Sequence, residues 1–139
     1  MNKTVYIGLV LIAVFLSGCG NMTKGKAAAK SQIPVFHEQF NAGNLQAIVD
    51  AAHPEMLKAS SASEITNFIG VVRRKLGKVT DSQEQTWKMN TFNGVTTVVL
   101  VQNTTFEQGK GTETFTFRIQ KEKASLLGYN INSQDLIMK

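Results

Sequence analysis

Thr112-Glu113-Thr114-Phe115-Thr116-Phe117-Arg118-Ile119-Gln120 decides the fold class. Apolar and polar side chains alternate through it, the period-two signature of a strand with one face buried and one face in water. Glu113, Phe115, Phe117 and Ile119 fall on one face, and Thr112, Thr114, Thr116 and Arg118 on the other. Before it, Gln108 to Gly111 forms a turn, and Val95 to Phe106 is long and β-branched. Asn93-Gly94 suits a two-residue hairpin because both positions accept positive φ. Gln83 to Phe92 supplies the preceding strand, with Trp87 and Met89 on one face. After it, Lys121 to Lys123 turns the chain into Ala124–Asn132, with Leu127, Tyr129 and Ile131 on one face. Four sequential antiparallel strands are predicted, and the period changes from helical to two at Val79.

Upstream the spacing is helical. Ile33, Phe36 and Phe40 recur at three and four residues, predicting a helix over Ile33–Ala42 with Pro34 tolerated in its first turn. Gly43 stops it, and Asn44 is a good N-cap for a second helix with the stripe Leu45, Ile48, Val49 and Ala52. His53-Pro54 ends that helix, and Pro54 starts a further turn through Leu57. Ser61-Ala62-Ser63-Glu64 has capping-box spacing, and Ile65, Phe68, Ile69, Val72 and Leu76 make the next stripe before Gly77. Arg73, Arg74 and Lys75 complement the macrodipole of that helix; a membrane- or anion-facing patch is the alternative use. Helices followed by a meander, with one sheet face rich in Thr and Gln, predict an α+β domain: N-terminal helices packed on a curved antiparallel four-stranded sheet, cone- or cystatin-like.

The first residues read differently. Lys3 is a positive n-region, and Val5 to Phe15 is an apolar run of roughly a dozen residues, of signal length and too short to span as a helix. Leu16-Ser17-Gly18-Cys19 closes it, and Cys19 is the sole cysteine of the chain. These four residues resemble the lipobox of bacterial lipoproteins. The resemblance implies a diacylglycerol on Cys19, cleavage before it and acylation of the new amine. Gly20 in place of an aspartate implies the outer membrane, facing the periplasm, rather than retention at the inner one. An ordinary signal peptide or an uncleaved anchor are the alternatives. The expected organisation is a signal over 1–18, a flexible tether over 19–30 and one α+β domain over 31–139. As coil, the tether spans roughly 18 Å, although its alanines are able to extend the first helix backward.

The full chain of 139 residues has 15 basic and 10 acidic side chains. From Ser31 onward the count is 11 against 10, so the basic excess belongs to the leader and tether. This removes the basic density that nucleic-acid binding requires. Lys24, Lys26 and Lys30 either lie against anionic head groups or form a solvated spacer. One cysteine excludes an internal disulfide and a Cys-based metal site. No phosphate loop, hydrolase elbow or metal-ligand spacing occurs, so no cofactor is expected.

Phe40-Asn41-Ala42-Gly43-Asn44-Leu45-Gln46-Ala47-Ile48 looks like the first helix-turn-helix of the nuclear-transport-factor and ketosteroid-isomerase superfamily, and His53-Pro54-Glu55-Met56 looks like the link after it. Lys75-Leu76-Gly77-Lys78 and Leu127-Gly128-Tyr129-Asn130-Ile131 resemble segments of small bacterial lipoproteins of unknown function. The resemblance covers roughly residues 33–137 and implies a curled sheet wrapped over helices. Ketosteroid isomerase works with a tyrosine, a protonated aspartic acid and an aspartate base. No such set is assignable here.

Trp87, Phe115, Phe117 and Tyr129 either line a ligand cavity inside the cone or fill it as core. Glu113 shares their face, and is read as a rim carboxylate with a raised pKa or as a solvated strand end. His37 and His53 read as surface or capping residues. The expectation is a lipid-anchored, non-enzymatic envelope module. It is held to a membrane through Cys19 and binds a protein or a small apolar molecule on the concave sheet face. A small isomerase- or dehydratase-like enzyme and a structural envelope protein are the alternatives.

Overall fold

The computed structural model describes residues 19–138. The expected signal over 1–18 lies outside them. The order is α1 (Cys19–Ala42), α2 (Leu45–Asp50), α3 (Pro54–Ala59), α4 (Ala62–Leu76), β1 (Val79–Phe92), β2 (Val95–Phe106), β3 (Gly109–Gln120), β4 (Lys123–Asn132) and α5 (Gln134–Met138). The strands form one antiparallel sheet in the order β1-β2-β3-β4, and the fold is α+β.

The stretch read as a tether is helical. α1 runs without interruption from Cys19, so Pro34 stands deep inside a helix and not in its first turn. A proline there forfeits one backbone bond and costs about 3 kcal/mol. Packing on both sides of it offsets this: Ala29, Ile33, Phe36 and Phe40 are all buried. Farther toward the N-terminus, Lys26 Nζ lies 2.9 Å from Glu84 Oε1 and 4.6 Å from the centre of the Trp87 ring. Hydrogen bonding from Lys26 holds the Glu84 carboxyl below its usual value, against the opposing effect of burial. The helix thus gains sheet contacts along most of its length, which propensity alone does not supply.

Asn41 fastens the other end. Its side chain accepts from the Val79 backbone N–H at 2.8 Å and donates to the Val79 carbonyl at 3.1 Å. Arg73 donates to the carbonyls of Phe40 and Asn41 at 2.8 and 3.0 Å, adding a charged donor at the α1 C-terminus, where the Phe40 carbonyl also accepts from the Gly43 N–H. Gly43 follows with φ +73°. Two of the basic side chains of α4 therefore have internal work, since Lys75 also donates to the Leu136 carbonyl. Asn44 precedes α2 without a side-chain capping bond. The capping box of α4 is complete: Glu64 N–H donates to Ser61 Oγ and Ser61 N–H to Glu64 Oε2.

Strand boundaries are broader than predicted. β1 begins at Val79, and β3 at Gly109 inside the expected turn. In β4 a register shift opposite Thr116 and Phe117 inserts Leu127 between the paired Leu126 and Gly128. The bulge turns Leu126 into the core in place of Leu127. α5 was not anticipated; it is short and has no buried residue. The core is continuous between α1, α4 and one face of the sheet.

Candidate functional site

The helix-facing side of the sheet is organised in cross-strand rows. Trp87, Leu100, Phe115 and Tyr129 are paired in one row. Met89, Val98, Phe117 and Leu126 form the next on one side, and Glu84, Gln102, Glu113 and Ile131 the next on the other. All five residues singled out from the sequence therefore share one face. Their environments differ. Phe115 and Phe117 are buried core, packed beneath α1; Phe117 also borders a small cleft of about 40 Å³ beside Phe36, Ile48 and Leu126. Trp87 is half-buried under Lys26. Tyr129 and Glu113 are in direct contact.

Glu113 is fully buried. Neither a rim position nor a solvated strand end describes it. Burying a carboxylate is costly unless its lone pairs are satisfied. Here three donors converge from three elements. His37 Nε2 of α1 lies 2.7 Å from Oε1, Thr104 Oγ1 of β2 donates to Oε1 at 2.6 Å, and Tyr129 of β4 donates its hydroxyl to Oε2 at 2.6 Å. With Glu113 ionised, Nε2 of His37 carries the proton. The polar chain continues outward, since Ser82 Oγ lies 3.1 Å from Thr104 Oγ1 and donates to Gln102 Oε1 at 3.3 Å.

The carboxylate also acts on Tyr129. Burial of the hydroxyl, the negative charge of Glu113 and their hydrogen bond all push the Tyr129 pKa well above 10.0. Ionising the phenol would place two negative charges in contact away from water. The hydroxyl is held as a donor.

Of the clefts that border this cluster, two are walled by its outer members His37 and Tyr129. One, about 730 Å³, lies between α1 and β1; its wall includes His37, Glu38, Asn41, Ser82, Glu84 and Gln102. The other, about 460 Å³, lies between α3, α4 and β4. Met56, Ile65, Phe68, Ile69, Leu127 and Tyr129 line it. Glu113 thus joins a residue of the polar cleft, His37, to a residue of the apolar one, Tyr129. The concave face itself is covered by α1, so ligand space lies beside the helix rather than under it.

His37 is buried and belongs to the cluster, contrary to the surface reading. The bulge-free spacing Ile33, His37, Phe40 already put it on the apolar face of α1, and that was the available signal. Thr104 was legible in the same way, two residues from Gln102 and from Phe106 on the inner face of β2. His53 does cap a helix, but it is α3: its Nδ1 accepts from the Glu55 N–H at 3.1 Å. Among the described residues no group of His, Cys, Asp and Glu side chains has the arrangement of a metal site. No protein-family model matches the chain, and no curated protein or solved structure matches it either.

Proposed function

We propose that the chain is a lipid-anchored module of the bacterial cell envelope that works by binding, with Cys19 as the acylated residue. The sequence Leu16-Ser17-Gly18-Cys19 supports the anchor. Among the described residues no helix is long and apolar enough to cross a membrane. The binding site is the apolar cleft between α3, α4 and β4, and its occupant is a small apolar molecule.

One observation carries the site. Phe68, in the middle of the α4 stripe, is 41% exposed beside buried Ile65 and Ile69. Its ring lies 6.2 Å from that of Tyr129, across the cleft. A helix stripe normally buries such a ring. Tyr129 meanwhile is fixed by Glu113, so the wall is preformed, as ligand sites usually are. Native mass spectrometry of the acylated protein, extracted from its own membrane in mild detergent, tests this. An additional mass beyond the lipid, lost in Phe68→Glu, is expected. A clean mass in both proteins sinks the small-molecule reading and directs attention to a protein partner.

A second reading is favoured by the 2.7 Å contact of His37 with Glu113 on the wall of the polar cleft. An imidazole oriented by a buried carboxylate is the base-and-orienter half of an acid–base site. The corresponding reaction is proton abstraction beside a carbonyl. Deuterium wash-in to a panel of small carbonyl compounds, lost in both His37→Gln and Glu113→Gln, would establish it; no exchange above buffer would remove it.

A further inference from the structure

The end of the molecule that carries Cys19 has membrane-facing chemistry of its own. α1 lies antiparallel to β1. Asn41 bonds Val79 near one end, Lys26 reaches Glu84 and Trp87, and Gly25 approaches Met89 so closely that an added Cβ would lie 2.6 Å from its Cε. Beyond Gly25, the helix rises about 9 Å to Cys19. Beyond Met89, β1 advances about 10 Å to Phe92. Cys19 and the β1–β2 turn therefore reach the same level. The β3–β4 turn is there as well, because Lys24 Nζ lies 3.1 Å from Glu122 Oε1.

That end presents apolar and basic side chains together. Phe92 is 71% exposed and Met22 53%. Lys121 and Lys123 are exposed on either side of Glu122, whose carboxylate is paired with Lys24. An aromatic ring at a turn tip, flanked by lysines and level with an acyl chain, fits the boundary between anionic head groups and acyl tails. A helical link also differs from a coil in its consequence. It transmits the anchor's position to the domain and holds the tip at the bilayer.

We propose that the acylated protein docks on an anionic lipid surface in one fixed orientation. The β1–β2 and β3–β4 turns face the membrane, Phe92 sits in the head-group layer, and Lys121 and Lys123 meet lipid phosphates. This rests on Cys19 being the acylated residue. The opposite end, with α5, stays in water even though Ile137 is 81% exposed.

The test uses the full chain, processed and acylated in a bacterial host, its lipid verified by intact mass, in vesicles of phosphatidylglycerol and phosphatidylcholine. Phe92→Trp and Ile137→Trp are each made in a Trp87→Phe background and exposed to lipids brominated near the head-group end. Emission from Phe92→Trp should fall about twofold, the depth expected of an interfacial ring, while that from Ile137→Trp stays unchanged. Adding Lys121→Glu and Lys123→Glu should reduce the quenching. For the unaltered acylated protein, hydrogen exchange around residues 90–95 and 121–124 should slow in vesicles relative to detergent. Equal quenching at both positions, or no slowing at the turns, on protein of verified acyl mass overturns the docking and leaves the anchor standing. A chain without acyl mass overturns both.

Discussion

His37 Nε2 and Glu113 Oε1 are 2.7 Å apart although 76 positions separate them in the chain. The contact joins the long N-terminal helix to the middle of the sheet. A buried carboxylate stripped of one donor retains the cost of desolvation without its compensation. Glu113→Gln keeps the shape but weakens three hydrogen bonds, and should lower unfolding stability by about 2–3 kcal/mol in urea denaturation. A double-mutant cycle with His37→Ala should give a coupling energy of about 1 kcal/mol or more. Coupling indistinguishable from zero would show that the pair is not an energetic unit.

Tyr129 makes stability depend on alkaline pH. Its folded pKa is raised well above the unfolded value of 10.0. The stabilisation is thus fully present below pH 10.0 and is lost as pH rises through the folded pKa, because the unfolded state releases its proton first. Thermal melts should hold a plateau up to that pH and then fall. Tyr129→Phe should be less stable at neutral pH, yet lose less on alkalinisation. Identical alkaline slopes for the two proteins would contradict the assignment.

Arg73 acts as a clamp. Arg73→Met should cost about 1–3 kcal/mol, since two carbonyls at the end of α1 lose a charged donor. Arg73→Lys should recover only part, for an ammonium cannot reproduce the fork of a guanidinium. Equilibrium unfolding of the three proteins decides it; full recovery by lysine would mean that charge near the helix end, and not the bidentate geometry, is what matters.

Hydrogen exchange distinguishes helix from coil at the start of α1. Amides of residues 27–30 should be protected, because Ala29 is buried and Lys26 is held by Glu84 and Trp87. Lys26→Ala should loosen this segment while leaving residues 36–41 unaffected. Coil-like exchange over 27–30 in the unaltered protein would restore the tether.

Much of the architecture follows from local chemistry. Alternation in Thr112–Gln120, the Asn93-Gly94 turn and the Ser61–Glu64 capping box each act over a few residues, and a short window of sequence contains all the atoms involved. The four sequential strands and the face that Glu113, Phe115 and Phe117 share within β3 were determined at that level. The lipobox resemblance of Leu16–Cys19 is equally local, and apart from Cys19 it lies outside the described residues.

Tertiary structure decided the rest. Residues 19–30 are polar and glycine-containing, and become helix because Lys26, Ala29 and Ile33 find partners on a sheet that begins many residues later. Pro34 survives mid-helix for the same reason. A bulge in β4, rather than the sequence parity of Leu127, chose which leucine enters the core. From the sequence, Glu113 reads as a rim or solvated carboxylate, because a lone carboxylate in an apolar row normally keeps contact with water. Its donors come from α1, β2 and β4, and only the folded chain brings those elements close enough for three hydrogen bonds to offset the loss of water.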